Sequence, residues 1–230
     1  MQCVILAAGH GKRLRPLTDD RPKPLVKVCG KRLIDHVVGA LPSSVSELII
    51  VVGYKGEMIK EHCGDEFLGR KVTYITQEKQ VGPANALWLC KELIRGRFFL
   101  LFADDVHGSE DLARAASFSR AVLAATSLKP ERFGVIVRNP DGTIAEIVEK
   151  PERPESNLVT TGPLVLDENI FKFDPESPIN GEYFLPEIIQ RYIKEYPMAV
   201  VEQDLWIPIG YPDDIEKAEI RLCPPVRPLN

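Results

Sequence analysis

A glycine-rich segment near the N-terminus carries the residues best suited to chemistry. It reads LAAGHGKRLRPLT over residues 6–18 and directly follows the first apolar run of the chain. Small residues let the backbone approach a ligand closely, and the cationic groups of Arg13, Arg15 and Lys23 are suited to phosphate oxygens. A solvated surface loop is the alternative, but three cations around one post-strand turn favour a site for a phosphate-bearing ligand.

Two common phosphate-binding motifs do not match the N-terminal part of the chain. The dinucleotide fingerprint G-x-G-x-x-G requires glycine where Leu14 stands, and the acidic ribose partner about 20 residues later is missing. A P-loop around Lys31 would require glycine at Leu25 and Ser or Thr at Arg32. An enzyme that transfers hydride and a P-loop protein are therefore both disfavoured.

The elements that position the segment alternate between apolar strands and helices. Hydrophobic periodicity predicts strands at 2–8, 47–52, 72–76, 97–103 and 121–126, and helices at 32–41, 55–63, 83–95 and about 109–119. This order predicts an α/β/α sandwich of the Rossmann-like kind, with a mostly parallel central sheet. Ligands of such sheets bind at the carboxyl ends of the strands, which is where the glycine-rich segment lies.

The pattern changes after residue 127. Segments 134–138 and 143–149 alternate across the turn residues Pro140, Asp141 and Gly142, which predicts a β-hairpin. A strand at 158–166, helices at 183–196 and 212–222 and a strand at 199–202 follow. We predict one domain over 1–222, in which 128–222 form a small β-rich extension laid over the sheet edge, and an extended proline-rich tail over 223–230.

The amino-acid composition indicates a globular protein and disfavours nucleic-acid-binding and membrane proteins. Apolar residues make up 44% of the 230 residues, enough for a core that needs no metal or disulfide, and the net charge of −4 does not favour nucleic acid or an anionic membrane. The longest apolar runs, 48–52 and 98–103, are far below the roughly 20 residues of a membrane span. The five cysteines are odd in number and widely spaced, which predicts a reducing, cytoplasmic environment.

Taken together, the motifs resemble the nucleotidyltransferases that join a nucleoside triphosphate to a sugar 1-phosphate and release pyrophosphate. Residues 6–25 match the signature loop of that family. Weaker blocks follow in the family order over nearly the whole chain: Gln77 with residues 82–84, residues 103–106, residues 149–151, residues 161–162, residues 181–182 and residues 206–210. The resemblance implies a Rossmann-like fold with a sugar-binding extension, formed by 1–127 for the nucleotide and 128–222 for the sugar.

The resemblance also implies roles in nucleotide binding. Arg13 would hold the departing pyrophosphate, Lys23 would contact phosphates at the reacting centre, and the Gln77 amide would read the base, with Gly82 giving the base room. The implied nucleotide-binding residues are Leu6, Ala7, Ala8, Gly9, Gly11, Arg13, Lys23, Gln77 and Gly82.

The sugar side is implied in the same way. Glu149 would accept hydrogen bonds from sugar hydroxyls, and Lys150 would contact the sugar phosphate. Because neighbouring residues of a strand point to opposite faces, both can bind one ligand only if the end of the strand curls. The implied sugar-binding residues are Gly134, Glu149, Lys150, Thr161 and Glu182.

The metal-binding positions are where the sequence departs from the family pattern. Asp105 matches the family aspartate that binds Mg²⁺, which prefers one or two carboxylates with phosphate oxygens and water; the alternative is that Asp104 and Asp105 only cap the next helix. A second family aspartate is replaced by Pro208, which cannot ligate. The implied catalytic residues are Arg13, Lys23, Asp105 and Lys150.

The expected reaction is an in-line transfer without an enzyme nucleophile. The resemblance implies a pyrimidine or guanine nucleotide and leaves the sugar open; it favours UTP or dTTP with glucose 1-phosphate. Two alternatives stay open. One is a cytidylyltransferase acting on phosphocholine, and the other, motivated by Pro208, is a regulatory relative that binds a sugar nucleotide without turnover. The expected partners are the two substrates, with neither nucleic acid nor membrane, and a homo-oligomer is compatible with the sequence.

Overall fold

A computed structural model describes residues 1–175, 178 and 181–224. The strands are β1 (Gln2–Ala7), β2 (Lys27–Val28), β3 (Lys31–Arg32), β4 (Glu47–Val52), β5 (Glu66–Phe67), β6 (Arg70–Thr76), β7 (Arg97–Phe102), β8 (Asp105–His107), β9 (Ala121–Thr126), β10 (Gly134–Arg138), β11 (Ile144–Glu149), β12 (Leu158–Asp167), β13 (Ala199–Glu202) and β14 (Trp206–Pro208). The helices are α1 (Leu33–Gly39), α2 (Gly56–Cys63), α3 (Pro83–Trp88), α4 (Ser109–Ala116), α5 (Leu185–Glu195) and α6 (Pro212–Leu222).

The main sheet has the strand order β11-β10-β12-β7-β1-β4-β6-β5 within the described residues, and β9 joins it beside β12. Strand β1 is parallel to both of its neighbours, β4 and β7. The chain passes from β1 to β4 on one side and later to β7 on the other. The strand order therefore reverses at β1, and this arrangement opens a crevice beyond the carboxyl end of that strand.

Two apolar layers cover the sheet. Ile5 and Ile50 face a layer that includes Ile34 of α1 and Ile59 of α2. Val4, Leu100 and other residues of the opposite face pack against residues of α3 and α5. Central strands that are buried on both faces have continuous apolar sequences, as β4 and β7 do. The predicted α/β/α class with a mostly parallel sheet is confirmed.

The second part of the chain differs from the prediction in one respect. The hairpin of β10 and β11 forms as expected. Strand β12, however, pairs antiparallel with β7, so these strands extend the central sheet itself and are not laid over its edge. The long strand β12 is the link, because it also pairs with β9 and β10. The division at residues 127 and 128 stays a prediction.

Short elements were the ones that the sequence pattern missed. The pair β8 and β14 and the pair β2 and β3 are two or three residues long, too short for a period to register. Helix α3 ends at Trp88 and is followed by a 3-10 turn at Lys91–Leu93, so it is shorter than the predicted 83–95. Of the predicted tail, residues 225–230 lie outside the described residues. None of the helices in the described part of the chain has the length and apolar character needed to cross a membrane.

A disulfide joins Cys29, which follows β2, to Cys223, which follows α6. The two Cα atoms are 6.1 Å apart, across 194 residues of sequence. The expectation of a fully reduced set of cysteines is therefore not met, because wide spacing in sequence says nothing about distance in the fold. The other three cysteines, Cys3, Cys63 and Cys90, are free and buried.

We expect reduction of this disulfide to lower the free energy of unfolding by about 2 to 5 kcal/mol, because the cross-link restricts the unfolded chain across a long loop. Denaturant unfolding with and without a reductant measures the effect. The double variant Cys29→Ser with Cys223→Ser is the control and should not respond to the reductant. Equal stability of the wild-type protein under both conditions would contradict the prediction.

Candidate active site

The crevice beyond β1 is a cleft of about 830 Å³. Its walls come from the ends of β1, β6 and β7 and from the loops that follow them. Ten of the residues implied by the sequence line it: Leu6, Ala7, Ala8, Gly9, Gly11, Arg13, Lys23, Gln77, Gly82 and Glu182. Five others, Asp105, Gly134, Glu149, Lys150 and Thr161, are not among its lining residues.

The glycine-rich segment bends sharply because of Gly11. This residue has φ +62°, a left-handed conformation that favours glycine, and a Cβ there would lie 3.0 Å from the Cβ of Lys23. The buried Thr18 hydroxyl donates to the Gly11 carbonyl at 2.9 Å and closes the turn. Arg13 follows on a short 3-10 helix, and its guanidinium lies 5.7 Å from the centre of the Tyr211 ring. The loop therefore presents both backbone and a positioned cation to the cleft.

Lys23 and Asp104 form the ion pair of the cleft. The Lys23 Nζ lies 3.1 Å from Asp104 Oδ2. The lysine side chain is 13% exposed and the aspartate side chain 40% exposed, so the carboxylate is the more accessible of the two. Both residues line the cleft, although 81 residues separate them in sequence. A negative ligand in the cleft would meet the ammonium group, and a cation would meet the carboxylate.

Asp105, the carboxylate expected to bind magnesium, has a different environment. The Trp206 Nε1–H donates to Asp105 Oδ2 and the Ile209 backbone N–H donates to Oδ1, each at 3.0 Å. Burial, with a contribution from neighbouring Asp104, raises the pKa of Asp105 to about 7. Pro208 lies directly opposite Asp105 in the pairing of β8 with β14. Asp105 therefore anchors residues 206–209. Of the two neighbouring aspartates, Asp104 is the one that lines the cleft.

Gln77 lies at the end of β6 and is only 4% exposed. Its Nε2 donates to the Gly82 carbonyl at 3.1 Å and to Asn85 Oδ1 at 2.9 Å. Gly82 has φ +100°, and a Cβ there would lie 2.4 Å from the carbonyl oxygen of Tyr183. The missing side chain therefore accommodates the Tyr183 backbone. Gly82 also lines the cleft, and its giving room to a base stays a prediction.

The end of β11 carries the expected sugar-binding pair. Glu149 and Lys150 are both exposed, with Oε1 and Nζ 3.2 Å apart. Lys150 has φ +45°, so the chain turns out of the strand there and supplies the curl that a shared ligand requires. Gly134 begins the neighbouring strand, and a Cβ on it would lie 3.2 Å from Glu149 Oε2. Binding of a sugar by these residues stays a prediction.

Thr161 belongs to an internal polar network and not to the cleft surface. Its hydroxyl donates to the Leu123 carbonyl at 3.0 Å and accepts from the Gln203 amide. The Gln203 Oε1 lies 3.0 Å from Nδ1 of the buried His107. The Thr161 hydroxyl is therefore occupied inside the protein, and a sugar-binding role for this residue stays a prediction. His107 and Gln203 were missed by the sequence, because no local pattern signals a contact across 96 residues.

The residues of the cleft can bind a magnesium ion only together with a phosphate-bearing ligand. Among the described residues no group of three or more His, Cys, Asp or Glu side chains comes together as a metal site. Mg²⁺ does not need such a group, because one or two carboxylates combined with substrate phosphates and water are sufficient. Asp104 is an accessible carboxylate beside the cation-lined loop, so the donor set fits a metal that arrives with a phosphate ligand.

Comparison with known proteins gives three findings. Residues 2–223 match the family model described as Nucleotidyl transferase. The UTP--glucose-1-phosphate uridylyltransferase AglF of Haloferax volcanii is 39% identical over 96% of each chain. A crystal structure of a putative glucose-1-phosphate thymidylyltransferase from Bacillus anthracis, in complex with a sucrose, has a TM-score of 0.86 at 26% identity and covers 100% of this chain and 98% of its own.

A longer protein is also similar. The bifunctional protein GlmU of Methanocaldococcus jannaschii is 32% identical over 95% of this chain. The chain spans about half of that protein, 53% of its length. The similarity therefore concerns one portion of GlmU.

Proposed function

The chain belongs to the nucleotidyl transferase family, and on that premise we propose that it transfers a uridylyl group from UTP to glucose 1-phosphate and releases pyrophosphate. The proposal is supported by the name of the relative that is 39% identical over nearly the full length of both chains. Because the structural neighbour is named a thymidylyltransferase, dTTP is the second candidate nucleotide. The observation that carries the reaction is the cleft that brings Arg13, Lys23, Asp104 and Gln77 together.

The reaction needs no nucleophile from the protein. A phosphate oxygen of the sugar phosphate attacks the α-phosphorus of the triphosphate in line, and the bond to pyrophosphate breaks. No thiol or hydroxyl side chain occurs among the described residues that line the cleft. The free cysteines are buried, and burial raises the pKa of Cys90 to about 12. The chain therefore acts by orienting its substrates and by stabilising charge.

Two cations stabilise that charge in the proposal. Lys23 donates to the phosphate oxygens at the reacting centre, and its ion pair with Asp104 holds the ammonium in the cleft before substrate arrives. Arg13 donates to the departing pyrophosphate, with its guanidinium positioned against the Tyr211 ring. Both groups act as fixed charges, which need no rearrangement at the moment of reaction.

Nucleotidyltransferases generally use a divalent metal, and we propose Mg²⁺ here. Asp104 would hold it, in place of the Asp105 expected from the sequence. When bound, the ion would neutralise negative charge on the phosphate groups. Asp105 then acts indirectly, since its hydrogen bonds to Trp206 and Ile209 hold the wall of the cleft next to Asp104.

The sugar side of the proposal rests on the region around Glu182. This residue lines the cleft, and its carboxylate offers acceptors for sugar hydroxyls. Glu149 and Lys150 would act with it, Lys150 on the sugar phosphate, with Gly134 beside them. We place the reaction in the cytoplasm, where nucleoside triphosphates and sugar phosphates are made.

Pyrophosphate release from a panel of substrates tests the function. The panel combines UTP, dTTP, CTP and GTP with glucose 1-phosphate, N-acetylglucosamine 1-phosphate and phosphocholine. We expect release above background with UTP and glucose 1-phosphate, and a lower rate with each other pair. Release with CTP and phosphocholine alone would favour the cytidylyltransferase alternative. Tight nucleotide binding without any release would favour the regulatory one.

A further inference from the structure

The Gln77 amide is held in a single orientation by two acceptors. A carbonyl oxygen cannot donate, so the group that faces the Gly82 carbonyl must be the Gln77 NH₂ and not its oxygen. The second N–H of that NH₂ meets Asn85 Oδ1 at 2.9 Å. If the Asn85 amide were reversed, two NH₂ groups would face each other. Chemistry thus assigns both amides without reference to hydrogen positions.

This arrangement leaves one polar atom of Gln77 for a ligand. Among the described residues no group donates to its Oε1, and the residue lines the cleft. The residue is nearly buried, and the cleft is the space that it lines. Gln77 therefore presents an acceptor alone, although a free glutamine amide offers an acceptor and donors.

We propose that Asn85 is a positioning residue for base selection: by locking Gln77 with its acceptor toward the cleft, it favours bases whose ring nitrogen carries a hydrogen. This inference rests on the proposed function only in taking the base to lie against Gln77. Uracil and thymine carry N3–H and can donate to Gln77 Oε1. Cytosine N3 and adenine N1 are acceptors and would face the oxygen without a hydrogen between them.

Rotation of the amide would not rescue the wrong base. Turning Gln77 by 180° would offer NH₂ to cytosine, but Oε1 would then face the Gly82 carbonyl, an acceptor that cannot turn, and also Asn85 Oδ1 unless the Asn85 amide turned with it. Buried polar groups left without a partner are costly. Asn85 lies in the first turn of α3, so its position follows from the helix that starts at Pro83. Selection would therefore depend on a residue outside the cleft lining.

Calorimetric titration with UTP and with CTP, each without sugar phosphate, tests the proposal and needs no turnover. We expect wild-type protein to prefer UTP by at least about tenfold, and Asn85→Ala to reduce the UTP-to-CTP affinity ratio about tenfold through loss of one hydrogen bond. Asn85→Asp keeps acceptor oxygens at the same position and suits the first turn of a helix, so it should restore the ratio. Circular dichroism checks that each variant is folded.

Three results would overturn the proposal. One is a wild-type protein that binds CTP as tightly as UTP, a result that does not depend on any variant. A second is an Asn85→Ala variant that is folded and keeps the wild-type ratio. A third is an Asn85→Asp variant that loses the ratio as fully as Asn85→Ala. Failure of the proposed transfer reaction would appear instead as preserved base selection without pyrophosphate release from any substrate pair.

Discussion

Lys23→Ala and Arg13→Ala should each lower the rate of pyrophosphate release at saturating substrate about 10²- to 10³-fold, the usual cost of one preorganised charge-stabilising contact. Both side chains line the cleft, and neither is part of an apolar cluster. Their removal therefore takes charge from the transition state without opening a cavity in the core. Steady-state kinetics with UTP and glucose 1-phosphate measure the effect.

The neighbouring cations supply matched controls for these variants. Arg15 pairs with Asp19 at 3.1 Å, is well exposed and is not among the lining residues. Lys27 is exposed on β2. Arg15→Ala and Lys27→Ala should therefore stay within about threefold of the wild-type rate, since exposed ion pairs contribute little. A Lys23→Ala variant with a near-wild-type rate would show that the lysine has no part in charge stabilisation.

The same substitution at two adjacent aspartates should affect two different properties, the reaction rate at Asp104 and the stability at Asp105. Asp104→Asn removes the charge of the accessible carboxylate, and we expect a rate loss of about 10²-fold or more with little change in stability. Asp105→Asn places an NH₂ group against either Trp206 Nε1–H or the Ile209 N–H, so one of two hydrogen bonds is lost. The expected cost is about 1 to 3 kcal/mol of unfolding free energy.

Two measurements separate these variants. Initial rates over a series of Mg²⁺ concentrations report the metal requirement, and denaturant unfolding reports stability. Asp104→Asn should need more Mg²⁺ at unchanged stability, and Asp105→Asn should unfold at lower denaturant. An Asp105→Asn variant as stable as wild type but inactive would return the metal role to Asp105. Full activity of the wild-type protein with a strong chelator would remove the metal from the mechanism.

The family could be identified from the sequence because its strongest signal is local. The glycine-rich segment, its cations and the apolar strand before it lie within 25 residues, and each is visible without knowledge of the fold. The family match over residues 2–223 confirms that identification. The parallel sheet was equally accessible, since fully buried strands such as β4 and β7 leave continuous apolar runs.

Residues that depend on long-range pairing were harder to assign. The register of Asp104 and Asp105 was read from a short motif, and adjacent residues of an extended chain point to opposite sides. The pairing of β8 with β14 decides which side is which, and those strands lie about 100 residues apart. The internal position of Thr161 was missed for the same reason, because its partner Gln203 is 42 residues away.

The sequence by itself determined the family, the α/β class and ten of the residues that line the cleft, because these follow from side-chain type and from periods within one element. Only the tertiary structure decided that Asp104 lines the cleft, that Cys29 pairs with Cys223 and that Gln77 donates to Asn85. Each of these is a contact between different elements, fixed by the packing of the sheet and its helices. A hydrogen bond or a disulfide depends on distances of a few ångströms, and no local pattern encodes them.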